Sequence, residues 1–303
     1  MPLNLQTRVE LGKNEFTVTG PQLDSTLLVK MTCRYRGDDG PARFIFKDQS
    51  VDATVPNIRE DADRGLTSIG NGKVLIRQVE HILSALFGMN CLSTDIQLSF
   101  LAAAPRTDRI SPPICYLNAE DFSAAIRRSF RSRHSPAPFE LGHALVVHEK
   151  DPENDRDPSY AVVAPLEGLS VTAHINFPHF WGKQIFSCRI SADTFQDSLA
   201  WARSFFSTPF PHKQEWAVLR QRYPALLNQR ADHAGSIMID YTPQRWITPL
   251  RADDEPVRHK VIDILGDLAL LGMPLHAGMF VYKPHHRFNR QCVRALYHET
   301  CGE

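Results

Sequence analysis

The run Val257-Arg258-His259-Lys260-Val261-Ile262-Asp263-Ile264-Leu265-Gly266-Asp267 carries the chemistry most worth placing. On a helix, His259 and Asp263 stand one above the other on a single face, and Asp267 extends that face by a further turn. A neutral imidazole and a carboxylate so stacked can share a zinc ion, but two ligands leave the set incomplete. The ordinary reading of such a pair is a weak, solvated surface contact. The missing ligand comes best from Gln78-Val79-Glu80-His81, where an acid directly precedes a histidine at the head of the apolar run 82–88. His81, His259 and Asp263 would then make a set of two histidines and one carboxylate, with a fourth zinc position open to water. Glu80, displaced sideways from that ligand, is free to act as the general base on the water.

Val79-Glu80-His81 before an apolar helix, followed far downstream by V-R-H-K-x-x-D-x-x-G-D-L over 257–268, resembles the zinc-dependent UDP-3-O-acyl-N-acetylglucosamine deacetylases. The resemblance implies an acetamide hydrolase with zinc on His81, His259 and Asp263, where iron could occupy the same ligands. It assigns Glu80 as the base and His286 as the general acid that also stabilises developing charge. Asp267 would orient His286 and keep it cationic. His285 is a rival by adjacency, but the spacing from Asp267 favours its neighbour. Ser204 falls where the family has a threonine whose hydroxyl supports the oxyanion, and Lys260 matches a lysine near the substrate. Phe205, with Trp181 and Phe206, is a candidate lining for an acyl-chain passage, although aromatics so spaced are more often core. His174, His179, His233 and His276 are single histidines that mixed strands usually satisfy locally.

Two motifs of the family are missing. Its glycine-flanked G-L-H-[ST]-G loop is replaced by Gly20-Pro21-Gln22-Leu23-Asp24-Ser25-Thr26, and its I-P-x-x-D-G-S-A by Pro113-Ile114-Cys115-Tyr116-Leu117-Asn118-Ala119. Hydrolytic machinery kept whole beside rewritten loops implies an active enzyme whose substrate differs from the lipid A precursor: another N-acetylated amino sugar or related small molecule. The alternative is the family's own reaction in lipid A synthesis. A second alternative is a non-catalytic binding protein whose zinc is closed by a fourth ligand, His285 or His286.

These residues need elements to hold them. Patterning predicts strands at 26–35, 42–46, 66–69, 73–76 and 94–100, with helices beginning near residue 78 and over 119–130. Residues 131–138 are polar and proline-broken, and read as a linker. The pattern then restarts, with strands at 144–147, 160–163, 169–177, 184–189, 236–240 and 277–282. Helices are predicted over 192–206, over 256–271 with Pro256 at its start, and around 291–296. Strands then helix, twice, argues for an α+β protein of two similar domains. The first spans 1–130 and carries Glu80 and His81; a linker covers 131–139; the second spans 140–303 and carries His259, Asp263 and His286. In the deacetylases two such domains pack through their helices, with the metal at the interface.

Composition excludes other classes. A chain of 303 residues with 43% hydrophobic and 22% charged residues, and formal net charge zero, sets up no global field toward nucleic acid or an anionic membrane. The basic residues at 127–133 lack an accompanying stripe or aromatic platform, so they read as a solvated helix end. Six scattered cysteines without a CxxC pair suggest reduced thiols in a cytoplasmic protein. The amino terminus does not read as a signal peptide, and no apolar run approaches the roughly 20 residues that span a bilayer. Oligomeric state is not disclosed by the sequence.

Overall fold

A computed structural model describes residues 7–23, 25, 27–60, 65–102, 107–115, 118–131, 134, 136–149, 157–177, 182–208, 237–240, 245–246 and 248–301. The first half runs β1 (Arg8–Leu11), β2 (Glu15–Pro21), β3 (Leu28–Tyr35), β4 (Arg43–Phe46), β5 (Gln49–Asp52), β6 (Ile58–Arg59), β7 (Ser68–Gly70) and β8 (Leu75–Ile76). Helix α1 (Glu80–Gly88), β9 (Thr94–Phe100), β10 (Arg109–Ile110) and helix α2 (Glu120–Ser129) complete it. The second half runs β11 (Phe139–Glu140), β12 (Leu145–His148), β13 (Tyr160–Ala164), β14 (Leu169–Asn176), β15 (Lys183–Arg189) and the one-turn helix α3 (Ala192–Thr194). It continues with β16 (Phe205–Thr208), β17 (Ile237–Asp240), β18 (Arg245–Trp246), helix α4 (Glu255–Leu268), β19 (Leu275–Tyr282) and helix α5 (His286–Cys301).

The strands form because apolar residues recur at every second position. In β3, Val29, Met31, Cys33 and Tyr35 face inward; in β19, Leu275, Ala277, Met279 and Val281 do the same. Pairing then repeats itself. The first large sheet is ordered β1-β2-β3-β9-β4-β5 and the second β12-β13-β19-β14-β15, with β11 alongside β19. In each, the strand laid down last is central. It is antiparallel to one hairpin (β3 on β9, β13 on β19) and parallel to the other (β4 on β9, β14 on β19). A parallel partner needs a crossover, and helix α1 or α4 supplies it before the central strand. Each half also carries a small extra sheet. In the first it is β10-β8-β7-β6, whose strands β6 to β8 precede the crossover helix while β10 follows it; in the second it is β16-β17-β18, which precedes the crossover helix. The expected α+β build with two similar halves is what the chain forms.

The two crossover helices pack on each other. Residues 80–86 of α1 are buried throughout, and so are most of α4, including its ionisable His259, Asp263 and Asp267. Helices buried on nearly every side lie between layers. Contact is closest at Gly266, where any Cβ would run into the main-chain carbonyl of Glu80. One continuous apolar core, from Phe16 and Phe44 through Leu83 and Val261 to Phe288 and Leu296, fills both halves.

Three expectations are corrected. The helix expected near residue 78 starts at Glu80; Gln78 has φ +57°, and the Val79 N–H bonds instead to the Thr67 carbonyl (3.1 Å). The helix expected over 192–206 is shorter: Ser191 caps its start and the coil widens through Phe195–Leu199 and ends, so Phe205 begins a strand parallel to β17. Ser204 therefore lies in a loop and not in a helical turn. The last helix is longer than its apolar stripe suggested, beginning at His286 itself.

Candidate active site

The first two residues of α1 and the middle of α4 meet face to face. Ligand-capable atoms of His81, His259 and Asp263 all lie within 4.8 Å of one another, and all three residues are buried. His259 Nε2 is 3.2 Å from Asp263 Oδ1 and His81 Nε2 is 4.0 Å from it. The ring orientation of His259 is set from behind: its Nδ1 lies 3.0 Å from the Ala202 carbonyl, so this nitrogen carries the proton and Nε2 presents its lone pair to the cluster. Lys260 Nζ takes Asp263 Oδ2 at 2.8 Å. Asp263 Oδ1 is then a buried carboxylate oxygen with no hydrogen-bond donor on it. A buried orphan acceptor facing two imidazole nitrogens is what a divalent cation resolves, so the donor set fits a metal ion.

Beyond the cluster, His286 opens α5 with Nε2 3.7 Å from Asp263 Oδ1 and Nδ1 2.9 Å from Asp267 Oδ2. Asp267 also accepts from Asn289 Nδ2 (3.0 Å) and Thr67 Oγ1 (2.5 Å). Glu80 is almost wholly buried, with Oε2 accepting the Thr67 N–H at 3.1 Å. The segment 202–205 is held by a buried ion pair in which Arg203 donates from its backbone N–H, Nε and Nη2 to the Glu255 carboxylate at the head of α4. That pair aims the Ala202 carbonyl at His259.

The electrostatics separate the titrating groups. Burial lowers His81 to about 3, helped by the neighbouring His259, so it is a neutral imidazole fit for a metal. Asp263 is held well below the usual carboxylate range: burial opposes its charge, but Lys260, His259 and His286 outweigh it. Burial pushes Glu80 up to about 7, tempered by His286. For His286 burial works downward, yet Asp267 and Asp263 carry it up to about 9. Near neutrality the site thus offers one carboxylate able to take a proton and one imidazolium able to give one.

A buried His-His-Asp triad with an acid and a base around it directs the comparison with known proteins. The profile of the family described as "LpxC: UDP-3-O-acyl N-acetylglycosamine deacetylase" matches residues 12–298. A UDP-3-O-acyl-N-acetylglucosamine deacetylase of Teredinibacter turnerae is 30% identical over 290 residues, covering 94% of this chain and 88% of its own. One from Pseudomonas entomophila is 28% identical over 296 residues, covering 95% and 89%. The chain belongs to the UDP-3-O-acyl N-acetylglycosamine deacetylase family. By class it is a deacetylase, a hydrolase of amide carbon–nitrogen bonds.

Within that family framework, the fold brings together Glu80, His81, His259, Lys260, Asp263, Asp267 and His286, all singled out from sequence. Lys260 Nζ also lies 4.9 Å from the Phe205 ring centre, and that ring is 6.5 Å from the ring of His259, so Phe205 borders the cluster. Ser204, between Arg203 and Phe205, flanks it on a loop. His285 is spoken for: its Nε2 lies 2.9 Å from Glu149 and its Nδ1 accepts from the Phe288 N–H. His174 packs edge-on to Tyr282 and His276 sits beside Glu140, each on the second sheet. His179, His233 and Trp181 lie outside the described residues, as does the side chain of Phe206.

Sequence reasoning missed Thr67, Ala202, Arg203, Glu255, Asn289 and Arg290. Asn289 and Arg290 follow His286 within one turn of helix, which is a legible signal. A carbonyl contributed by Ala202 leaves none.

Proposed function

We propose that this chain removes the N-acetyl group of a UDP-linked 3-O-acyl-N-acetylglucosamine, the family's own deacetylation in lipid A synthesis, as a zinc enzyme of the cytoplasm. The observation that carries the reading is the convergence of Glu80 and a doubly supported His286 on one buried His81–His259–Asp263 triad. Matches running over almost the whole of both chains support this substrate over a different N-acetylated one. No described helix is long and apolar enough to cross a membrane.

His81 Nε2, His259 Nε2 and Asp263 Oδ1 would hold the zinc ion, which when bound supplies Lewis acidity to the scissile carbonyl and to water beside it. Glu80 accepts a proton from the attacking water; its desolvated carboxylate is a strong enough base near neutrality, and the Thr67 N–H fixes its second oxygen. His286, cationic through Asp267, faces the developing oxyanion with Nε2 and then gives its proton to the departing amine. Ser204 would add a hydroxyl to the oxyanion, and Lys260 and Phe205 would border the substrate. We place the domain boundaries at 1–130 and 140–303, with 131–139 between them.

A second reading keeps the chemistry and changes the substrate. It rests on the two loops that depart from the family pattern, which are joined: the Ile114 N–H donates to the Pro21 carbonyl (3.0 Å) and the Ser111 N–H to Gln22 Oε1 (3.2 Å). A non-catalytic zinc protein gains nothing from His285, which Glu149 occupies. Acetate release from UDP-3-O-acyl-N-acetylglucosamine by zinc-loaded protein, with Glu80→Ala as the blank, tests the proposal. Release abolished by the substitution supports it. No release from protein that still binds stoichiometric zinc favours the second reading.

A further inference from the structure

Thr67 lies on the strand-side wall of the site and grips three helices at once. Its main chain holds the start of α1, the N–H donating to Glu80 Oε2 and the carbonyl accepting from the Val79 N–H, both at 3.1 Å. Its hydroxyl lies 2.5 Å from Asp267 Oδ1 on α4 and 3.2 Å from His286 Nδ1 on α5. The residue is completely buried.

A threonine hydroxyl has one proton to give and two lone pairs with which to accept. Around Oγ1 stand a carboxylate, which only accepts, and the Arg290 guanidinium, which only donates, with Nη1 at 3.4 Å. The proton therefore goes to Asp267, and the lone pairs face Arg290 and the His286 Nδ1–H. Arg290 is itself buried and fixed, Nη1 donating to the Leu66 carbonyl (3.1 Å) and Nη2 to Glu60 (2.9 Å). The hydrogen bonds thus run in one direction, Arg290 to Thr67 to Asp267, while His286 Nδ1–H meets both acceptors. With the Nδ1 proton of its imidazolium held by this arrangement, His286 turns Nε2–H toward Asp263 and the reacting centre.

We propose that Thr67, oriented by Arg290, is the positioning residue that sets the base Glu80 and the acid His286 in register with one another. It acts through Asp267 and touches neither substrate nor metal. The inference deepens the deacetylase reading and rests on it for its kinetic test. Thr67→Val keeps the shape and the backbone contact to Glu80 and removes only the hydroxyl. It is expected to lower kcat about 10–100-fold, with KM within about twofold and zinc content unchanged. Thr67→Ser is expected to recover most of the loss. Arg290→Met should lower kcat less, and the double variant should fall no further than Thr67→Val alone, because Arg290 acts through the same oxygen. Undiminished kcat in Thr67→Val, a loss confined to KM, or Thr67→Ser as impaired as Thr67→Val would overturn the assignment.

A second readout needs no turnover. In zinc-loaded, ¹⁵N-histidine protein, with His286 assigned through His286→Gln, its Nδ1 resonance should move in Thr67→Val and stay near the wild-type position in Thr67→Ser. An Nδ1 resonance identical in all three proteins sinks the proposal even if the enzyme is active. If wild-type protein releases no acetate while the resonance shifts as described, the substrate assignment fails and the role of Thr67 stands.

Discussion

Two residues of opposite habit sit a few ångströms from the same triad. Burial raises Glu80 to about 7, while Asp267 and Asp263 raise His286 to about 9 against the pull of burial. In the proposed mechanism Glu80 works as a carboxylate, so activity is lost as pH falls through its pKa; His286 works as a cation, so activity is lost as pH rises through its own. The profile of kcat/KM against pH should therefore be a bell, with its acid limb from the first and its alkaline limb from the second. His286→Gln should remove the alkaline limb as well as slow the reaction, and a limb that survives in that variant would deny His286 the acid role. Glu80→Gln should cost about 10²–10⁴-fold in kcat and leave zinc stoichiometry intact, which metal analysis of the purified variant checks.

Helix packing does what no single side chain could. Gly266 lets α4 approach α1 until the Glu80 carbonyl occupies the space of a side chain. Gly266→Ala adds one methyl group there and should destabilise the protein by about 1–3 kcal/mol, with a loss of activity as Glu80 shifts; urea unfolding and acetate release read the two effects. At the other end of the same contact, Glu255 anchors Arg203 and with it the loop that offers the Ala202 carbonyl to His259. Glu255→Gln leaves a buried guanidinium without its counter-charge and should cost on the order of 3–5 kcal/mol of stability. An unchanged unfolding midpoint would mean that this ion pair is dispensable to the loop.

The molecule as a whole is one topology used twice, and the residues that could hold a metal are divided between the copies: His81 on the crossover helix of the first half, His259 and Asp263 on that of the second. An ion held by both helices binds the native state and has no such site in the unfolded chain. Zinc at about 1,000 times its Kd should stabilise the protein by about 4 kcal/mol, seen as a rise in Tm on adding the metal to chelator-treated protein. Removing zinc should abolish acetate release and restoring it should bring release back. His81→Ala and Asp263→Ala should lose the thermal shift, since each removes a ligand from one side of the pair.

Much of this was legible in the chain before folding. Alternation marked the long strands β3, β9, β14 and β19, because one face of each is buried and period two is all that requirement demands. The spacing of His259 and Asp263 on one helical face, and the acid–histidine pair at the head of another, marked the site, because ligands on a helix repeat with its turn. The two-residue strands other than β8 and the abrupt end of α3 were not legible, since pairing partners far along the chain decided them. The preference for His286 over His285 was legible in the spacing from Asp267, and the structure adds that Glu149 captures the latter. Sequence determined which residue types could hold a metal and move a proton. Tertiary structure decided how Thr67, Ala202 and Arg290 orient them, because those roles rest on a backbone N–H, a carbonyl and a buried guanidinium whose partners lie up to 230 residues away.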